Sequence, residues 1–305
     1  MSGSGARRIA LKVDCDTFEG TKDGLPNLLR LFDKFGIRAS FYFTLGPDRS
    51  GRAITRVFTR QGFLKKMLRS GAVKMYPLRT MMYGTLLPAP MIGKRLDDVI
   101  RSVGAAGHEV GVHGWDHITW HDQCVRMSQE EADGEYLKAL AEFFRIFGFQ
   151  PLAVAAPGWQ ASAASLAALD TYGLDYASNT RLGAPFHPVV GDRRFDTLEI
   201  PTTLPTWDES YNSPELGTGD AFVAYYRKAV QGTEVHSIHT EVEATALLPL
   251  FERQLEAWRA DGVSFVTLDE IAREMKAAPG SIPERRIIRI TLPGRAGEVT
   301  GSEPL

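Results

Sequence analysis

The sequence predicts an α/β fold built on a mainly parallel sheet that closes toward a barrel. Runs of strand composition alternate with helix-like runs at least six times along 305 residues, the signature of repeated strand–helix–strand units. The candidate polar residues Asp14, Asp16, His113, Pro157, Asp208 and His239 stand at the C-terminal ends of strand-like runs. They come from five separate strand ends, which suits the rim of a closed barrel. An open doubly wound sheet gathers its site at one switch point from fewer strands.

The elements follow in order. Arg8 to Val13 is a short β-type run that delivers Asp14-Cys15-Asp16-Thr17. Asn27 to Lys34 has helical periodicity, with Pro26 at its start and Gly36 as its stop. Ile37 to Leu45 returns to β-branched and aromatic composition. Residues 48–94 are too long for an ordinary strand–helix connection and form an insertion after the second strand. A helix from Arg95 to Ala105 leads to Glu109-Val110-Gly111-Val112, a buried strand with His113 at its end and His117 in the loop beyond. Ser128 and Glu131 form a capping box for a helix to Phe147, stopped by Gly148. Pro151 to Ala156 is a strand that runs into Pro157-Gly158-Trp159, and Ser162 caps a helix to Tyr172. Short strands at 175–179 and 197–200 precede Pro201 to Asp208. A helix at 221–230, a strand from Glu234 to His239, a helix at 246–259, a strand at 263–267 and a helix at 268–276 complete the alternation. From Pro279 the composition reads as an appended tail, with Arg285 to Leu292 as a candidate edge strand. The expected organisation is one domain over residues 1–278 and a tail over 279–305.

Bulk properties narrow the classes. Two cysteines, Cys15 and Cys124, cannot make a disulfide framework or a zinc ribbon, so a reducing compartment is expected. The N-terminus has too short an apolar run for a signal peptide, and no stretch approaches the ~20 apolar residues of a spanning helix. Arg49 to Leu96 holds eleven basic residues and no acidic one; with a net charge of −2, the remainder carries −13. Five of the eight methionines lie in the same block, with Met75, Met81, Met82, Tyr83, Leu86, Leu87, Met91 and Ile92 forming an apolar series. A packed excursion with a solvated basic face is the plain reading. The sharper one is a surface that meets an anionic membrane through residues 49–95, with apolar groups at the interface. The apolar content and the acidity elsewhere argue against nucleic acid.

The spacing His113-x-x-x-His117 alone fits two solvated loop histidines as well as metal ligands. With Asp16 it makes a one-carboxylate, two-histidine set with open positions, suited to a single Zn, Fe, Co or Mn ion. Asp14, two residues away on the same strand end, is placed to take a proton from water as general base. His239, from a later strand, is placed to protonate a leaving nitrogen as general acid. His236 and His239 read equally as core residues when taken alone.

Val13-Asp14-Cys15-Asp16-Thr17-Phe18, His113-x-x-x-His117, Pro157-Gly158-Trp159 and Ser237-Ile238-His239 resemble the successive motifs of the polysaccharide deacetylase (NodB-homology, carbohydrate esterase family 4) family. The resemblance covers roughly residues 8–275. It implies a distorted (β/α)7-type barrel that hydrolyses N- or O-acyl groups on sugars. It also implies Asp14 as base, Asp16, His113 and His117 as metal ligands, and His239 as acid. Asp14-Cys15-Asp16-Thr17-Phe18-Glu19-Gly20-Thr21, the stretch 108–117, Leu204-Pro205-Thr206-Trp207-Asp208-Glu209 and Ile238-His239-Thr240-Glu241-Val242-Glu243 look most like the branch that deformylates a formamido-arabinose carried on undecaprenyl phosphate. That branch implies formate release on the way to lipid A modification and polymyxin resistance, at the cytoplasmic face of a bacterial inner membrane. Residues 48–94 would then be the membrane dock. Pro157, Gly158, Trp159, Trp207, Asp208 and Glu241 would line the sugar site, with a backbone N–H of the 157–159 loop on the oxyanion. Two departures stand out. Ala155 and Ala156 occupy the place of an arginine that steadies the catalytic aspartate in many members, and the first motif is Asp-Cys-Asp rather than an adjacent aspartate pair. The competing readings are a sugar N-deacetylase of the same family with a soluble substrate, and a non-catalytic lipid-binding protein.

Overall fold

The computed structural model describes residues 6–54, 78–211, 213 and 216–305. Strand β1 (Arg8–Cys15) is buried along almost its whole length, as a parallel strand covered on both faces must be. Among the described residues it is followed by β2 (Ser40–Phe43), β3 (Glu109–Val112), β4 (Ala153–Val154), β5 (Tyr176–Ala177), β6 (His187–Val190), β7 (Arg193–Arg194), β8 (Leu198–Glu199), β9 (Thr233–His239), β10 (Ser264–Val266), β11 (Glu284–Thr291) and β12 (Glu298–Pro304). The main sheet is parallel and runs β9-β1-β2-β3-β4-β5-β8, with β10 also against β1. β9 pairs with β1 from Arg8 to Asp14, while β10 takes Arg8 to Ala10 and β2 takes Lys12 to Cys15 on the other edge. The sheet curls, and the backbone N–H groups of Thr203 and Leu204, just after β8, both donate to Val235 O in β9 at 3.0 and 3.1 Å. That closure bears out the barrel expectation.

The alternation of β1 sorts its side chains into two layers. Ile9, Leu11, Val13 and Cys15 belong to the larger apolar cluster, which also holds Leu28 and Phe32 of the helix Leu25–Phe35 and Phe143 of the helix Gln129–Phe147. Ala10 belongs to a second cluster with Tyr42, Ala153, Ala155, Tyr176 and Leu198 from other strands. The helix ends follow their sequence signals. Gly36 closes the first helix at φ 63°, and capping boxes at Ser128 and Ser162 open two others.

Two segments depart from their expected character. The C-terminal residues are not simply appended. β11 and β12 form an antiparallel hairpin whose β11 runs parallel to β6, making a second sheet in the order β12-β11-β6-β7. Buried Thr300 ties this hairpin to the barrel, accepting from Arg181 N at its carbonyl and from Ala161 N at its hydroxyl, both at 2.9 Å. In the 48–94 insertion, Arg56, Arg60, Lys65, Lys66, Arg69, Lys74 and Met75 lie outside the described residues. Of the described part, Ile92 and Tyr83 are core residues, and Tyr83 OH donates to Glu19 Oε1 at 2.6 Å. Leu86 is 80% exposed and Leu78 69% exposed. The interfacial series expected from the sequence is therefore narrower, since burial in the core removes Tyr83 and Ile92 from it. Among the described residues no helix is long and apolar enough to cross a membrane.

Candidate active site

Strands β9, β1 and β3, the last two separated by β2, deliver the polar cluster to one end of the sheet. In the parallel register Lys12 faces Ser237, and Asp14 faces His239. The period of two puts all four on one face. Asp16 follows β1 directly, and His113 follows β3, whose Val112 pairs with Phe43 of β2. His117 is not in a loop. It is the first residue of a helix, His117–Gln123, whose N-cap Asp116 accepts from Thr119 N at 3.1 Å and from Thr119 Oγ1 at 2.7 Å. Arg49, from the start of the insertion, forms an ion pair with the same Asp116 carboxylate. The cap fixes the helix start, and so fixes where His117 points.

His113 Nε2 lies 3.1 Å from Asp16 Oδ1, and His117 Nε2 lies 3.2 Å from Asp16 Oδ2. One ligand atom from each of the three residues falls within 4.8 Å of the others. Asp16 Oδ1 is buried without a hydrogen-bond partner. Two imidazole nitrogens converging on one carboxylate, with a buried orphan oxygen between them, are the donor set of a first-row divalent metal, and the residues fit such an ion. Burial raises the Asp16 pKa, but His117 and His113 outweigh it and hold the carboxyl well below its usual range.

Asp14 is buried beside this triad. Its Oδ2 accepts from Lys12 Nζ at 3.0 Å and from Ser237 Oγ at 2.7 Å. Its Oδ1 has no hydrogen-bond partner and lies 3.7 Å from His113 Nδ1. On the other side stands His239, whose backbone N–H donates to Glu243 Oε2 at 2.8 Å. Burial pushes the His239 pKa down, but Asp16, Asp208, Glu243 and Asp14 together raise it to about 9. The surrounding carboxylates thus favour the protonated ring, the state an acid catalyst needs.

A sequence model described as "Polysaccharide deacetylase" matches residues 3–177. The chain belongs to the polysaccharide deacetylase family. A Shewanella sediminis (strain HAW-EB3) protein named "Probable 4-deoxy-4-formamido-L-arabinose-phosphoundecaprenol deformylase ArnD" is 35% identical over 97% of this chain and 95% of its own length. A Wigglesworthia glossinidia brevipalpis protein of the same name is 32% identical over 91% of this chain and 96% of its own. A solved structure from Mycobacterium smegmatis, described as a polysaccharide deacetylase, superposes with a TM-score of 0.64 at 16% identity, covering 96% of this chain and 97% of that one. The likeness to that structure bears out the (β/α)7-type barrel.

The family's third-motif loop, Pro157–Trp159, borders the site. Trp159 lies edge-on to His239 with ring centroids 6.4 Å apart, and its Nε1 donates to Thr202 Oγ1 at 3.1 Å. Gly158 adopts φ +61°, and a Cβ there would stand 2.1 Å from His121 Cδ2, so both conformation and space demand glycine. The Trp159 N–H donates to Ala156 O at 3.1 Å, which commits it away from an oxyanion. Two guanidiniums flank the indole, Arg181 at 4.5 Å and Arg295 at 4.6 Å from its centroid. Both also bind Glu209, Arg181 through two hydrogen bonds of 2.8 and 3.0 Å and Arg295 through one of 3.2 Å.

One residue expected at the sugar site lies elsewhere. Trp207 is fully buried and packs edge-on against Phe222 and Phe251, at 5.0 and 5.6 Å, because its short helix turns the ring inward. Glu241 is buried beside the site, where its Oε2 accepts from Thr240 Oγ1 at 2.7 Å and Asp16 and His239 act on it through charge. Asp208 is half-buried and acts on His239 through charge. His236 proves to be the core histidine, against Tyr226 and Trp258. Lys12, Arg181 and Arg295 went unread in the sequence, and Ser237, Asp116 and Glu209 were read there only as members of motifs, without a role. Only Lys12 and Ser237 left a signal there, since each sits two positions before a candidate catalytic residue on a strand.

Proposed function

We propose that this chain is a metal-dependent deformylase, removing the formyl group from 4-deoxy-4-formamido-L-arabinose carried on undecaprenyl phosphate. The observation that carries the reading is the convergence of Asp16, His113 and His117, with the buried Asp14 carboxylate on one side and His239 on the other. The names of the two relatives supply the substrate.

Asp16, His113 and His117 would hold one divalent ion. When bound, it supplies the Lewis acidity that polarises the formyl oxygen and acidifies water. Asp14 Oδ1, free of other partners, takes the proton from the attacking water. His239 gives its proton to the sugar nitrogen as the C–N bond breaks. One water is consumed, and formate and the amine are released. Trp159 and its loop border the sugar, and Asp16, Asp208 and Glu243 favour the protonated form of His239. Trp207 is not carried forward as a sugar contact, and Glu241 stands beside Asp16 and His239.

The catalytic unit is residues 1–278 together with the C-terminal hairpin packed on it, with 48–94 as a dock on the anionic cytoplasmic face of the membrane. The exposed Leu86 and Leu78 and the exposed Arg52, Arg79, Lys94 and Arg95 support that assignment. The decisive assay is formate release from the lipid-linked formamido-sugar, before and after metal removal. Release that stops on chelation and returns with added metal supports the reading. Deacylation of a soluble N-acetyl sugar instead favours the soluble-substrate rival, and no acyl release from either substrate leaves the lipid-binding rival.

A further inference from the structure

We propose that Lys12 is the positioning residue of Asp14. The inference rests on the deformylase reading, in which Asp14 is the base. Asp14 needs an orienting partner, because its carboxylate is buried, and Ala155 and Ala156, at the end of β4, offer no polar side chain. Lys12 is fully buried and lies two residues earlier on β1, so its side chain leaves the same face of the strand. Its ammonium meets Asp14 Oδ2 at 3.0 Å and lies 5.1 Å from the centre of the Trp159 ring. Ser237, the register partner of Lys12 on β9, donates to the same oxygen at 2.7 Å.

Two donors on one oxygen decide which oxygen remains. Oδ2 is held, and Oδ1 is left facing the His113 side, 3.7 Å from Nδ1. A buried carboxylate with one hydroxyl donor is poorly compensated, and its terminal torsion is soft. The lysine supplies the opposite charge and a second fixed point.

The test compares Lys12→Met and Lys12→Arg with the wild type in the full-length, metal-loaded protein, reading formate release and crystal structures. Lys12→Met should lower kcat about a hundredfold, the scale of a misplaced catalytic group. KM should stay within about threefold, since the lysine touches no substrate. Lys12→Arg should restore most of kcat. The Lys12→Met crystal structure should show the Asp14 carboxylate turned from its present plane. The proposal is overturned if Lys12→Met keeps kcat within about twofold, if Lys12→Arg is no better than Lys12→Met, or if Asp14 is unmoved. Should Lys12→Met not fold, Lys12→Gln, uncharged but able to donate, takes the same readings. A wild type that releases no formate defeats the deformylase reading, whereas the crystal structures still decide the role of Lys12.

Discussion

Asp14 on β1 and His239 on β9 are register partners across the parallel sheet, so their side chains rise from one face at the same height. Adjacent strands lie about 4.8 Å apart. Strand pairing thereby fixes the position of Asp14 relative to His239, the two residues proposed as base and acid.

Loss of either partner should be read in kcat. Asp14→Asn and His239→Ala are each expected to lower kcat for formate release by about 10²–10⁴-fold, the usual worth of a general base or acid. Metal content should be unchanged in both, because neither belongs to the ligand triad. Elemental analysis of the purified variants checks this, and metal loss in either would reassign that residue.

Asp116 offers a quieter test of the triad. It caps the helix that begins at His117 and pairs with Arg49. Asp116→Ala should cost about 1 kcal/mol of stability through the lost cap. It should also weaken metal affinity about tenfold, as loss of an orienting group does. Calorimetric metal titration reads the second effect, and an unchanged affinity would show that His117 is held by other means.

His236 predicts a dependence of stability on pH. Burial pushes its pKa down to about 3, below the 6.5 of an exposed imidazole. The folded state therefore holds it neutral while the unfolded chain takes up a proton below about 6.5. The stability it contributes is complete above that pH and is lost as pH falls toward 3. His236→Phe should remove this loss, gaining about 2 kcal/mol relative to the wild type between pH 6.5 and 5. Paired denaturant melts at the two pH values measure it. An unchanged difference between variant and wild type would place the titration elsewhere.

Membrane docking predicts salt-sensitive binding. Vesicles containing anionic lipid should retain the protein and release it at high salt, with each contacting Lys or Arg worth about 1 kcal/mol near the surface. Leu86→Glu should reduce retention without changing the melting temperature, because Leu86 is 80% exposed. Equal binding to neutral vesicles would count against the dock.

The parts legible in the sequence are those governed by local rules. Period-two alternation marks β1 and β9, and capping boxes at Ser128 and Ser162 mark helix starts. Side-chain chemistry marks Asp16, His113 and His117 as a ligand set, and the structure brings them together. Trp207 was misplaced because a motif in sequence does not say which way its residues face. It lies in a short helix that turns the ring into an aromatic cluster.

By itself, then, the sequence determined the alternation of strands and helices, a candidate ligand set in Asp16, His113 and His117, and the basic, apolar character of the insertion. Each depends on composition and on neighbours a few residues apart. Tertiary structure alone decided that Lys12 and Ser237 share Asp14, that Arg181 and Arg295 flank Trp159, and that the C-terminal hairpin joins the wall of the site. Arg181 and Arg295 are more than a hundred residues apart in the chain, and Lys12 and Ser237 more than two hundred. Contacts of that kind follow from sheet register and barrel closure, which bring distant segments together without leaving a periodic mark in either one.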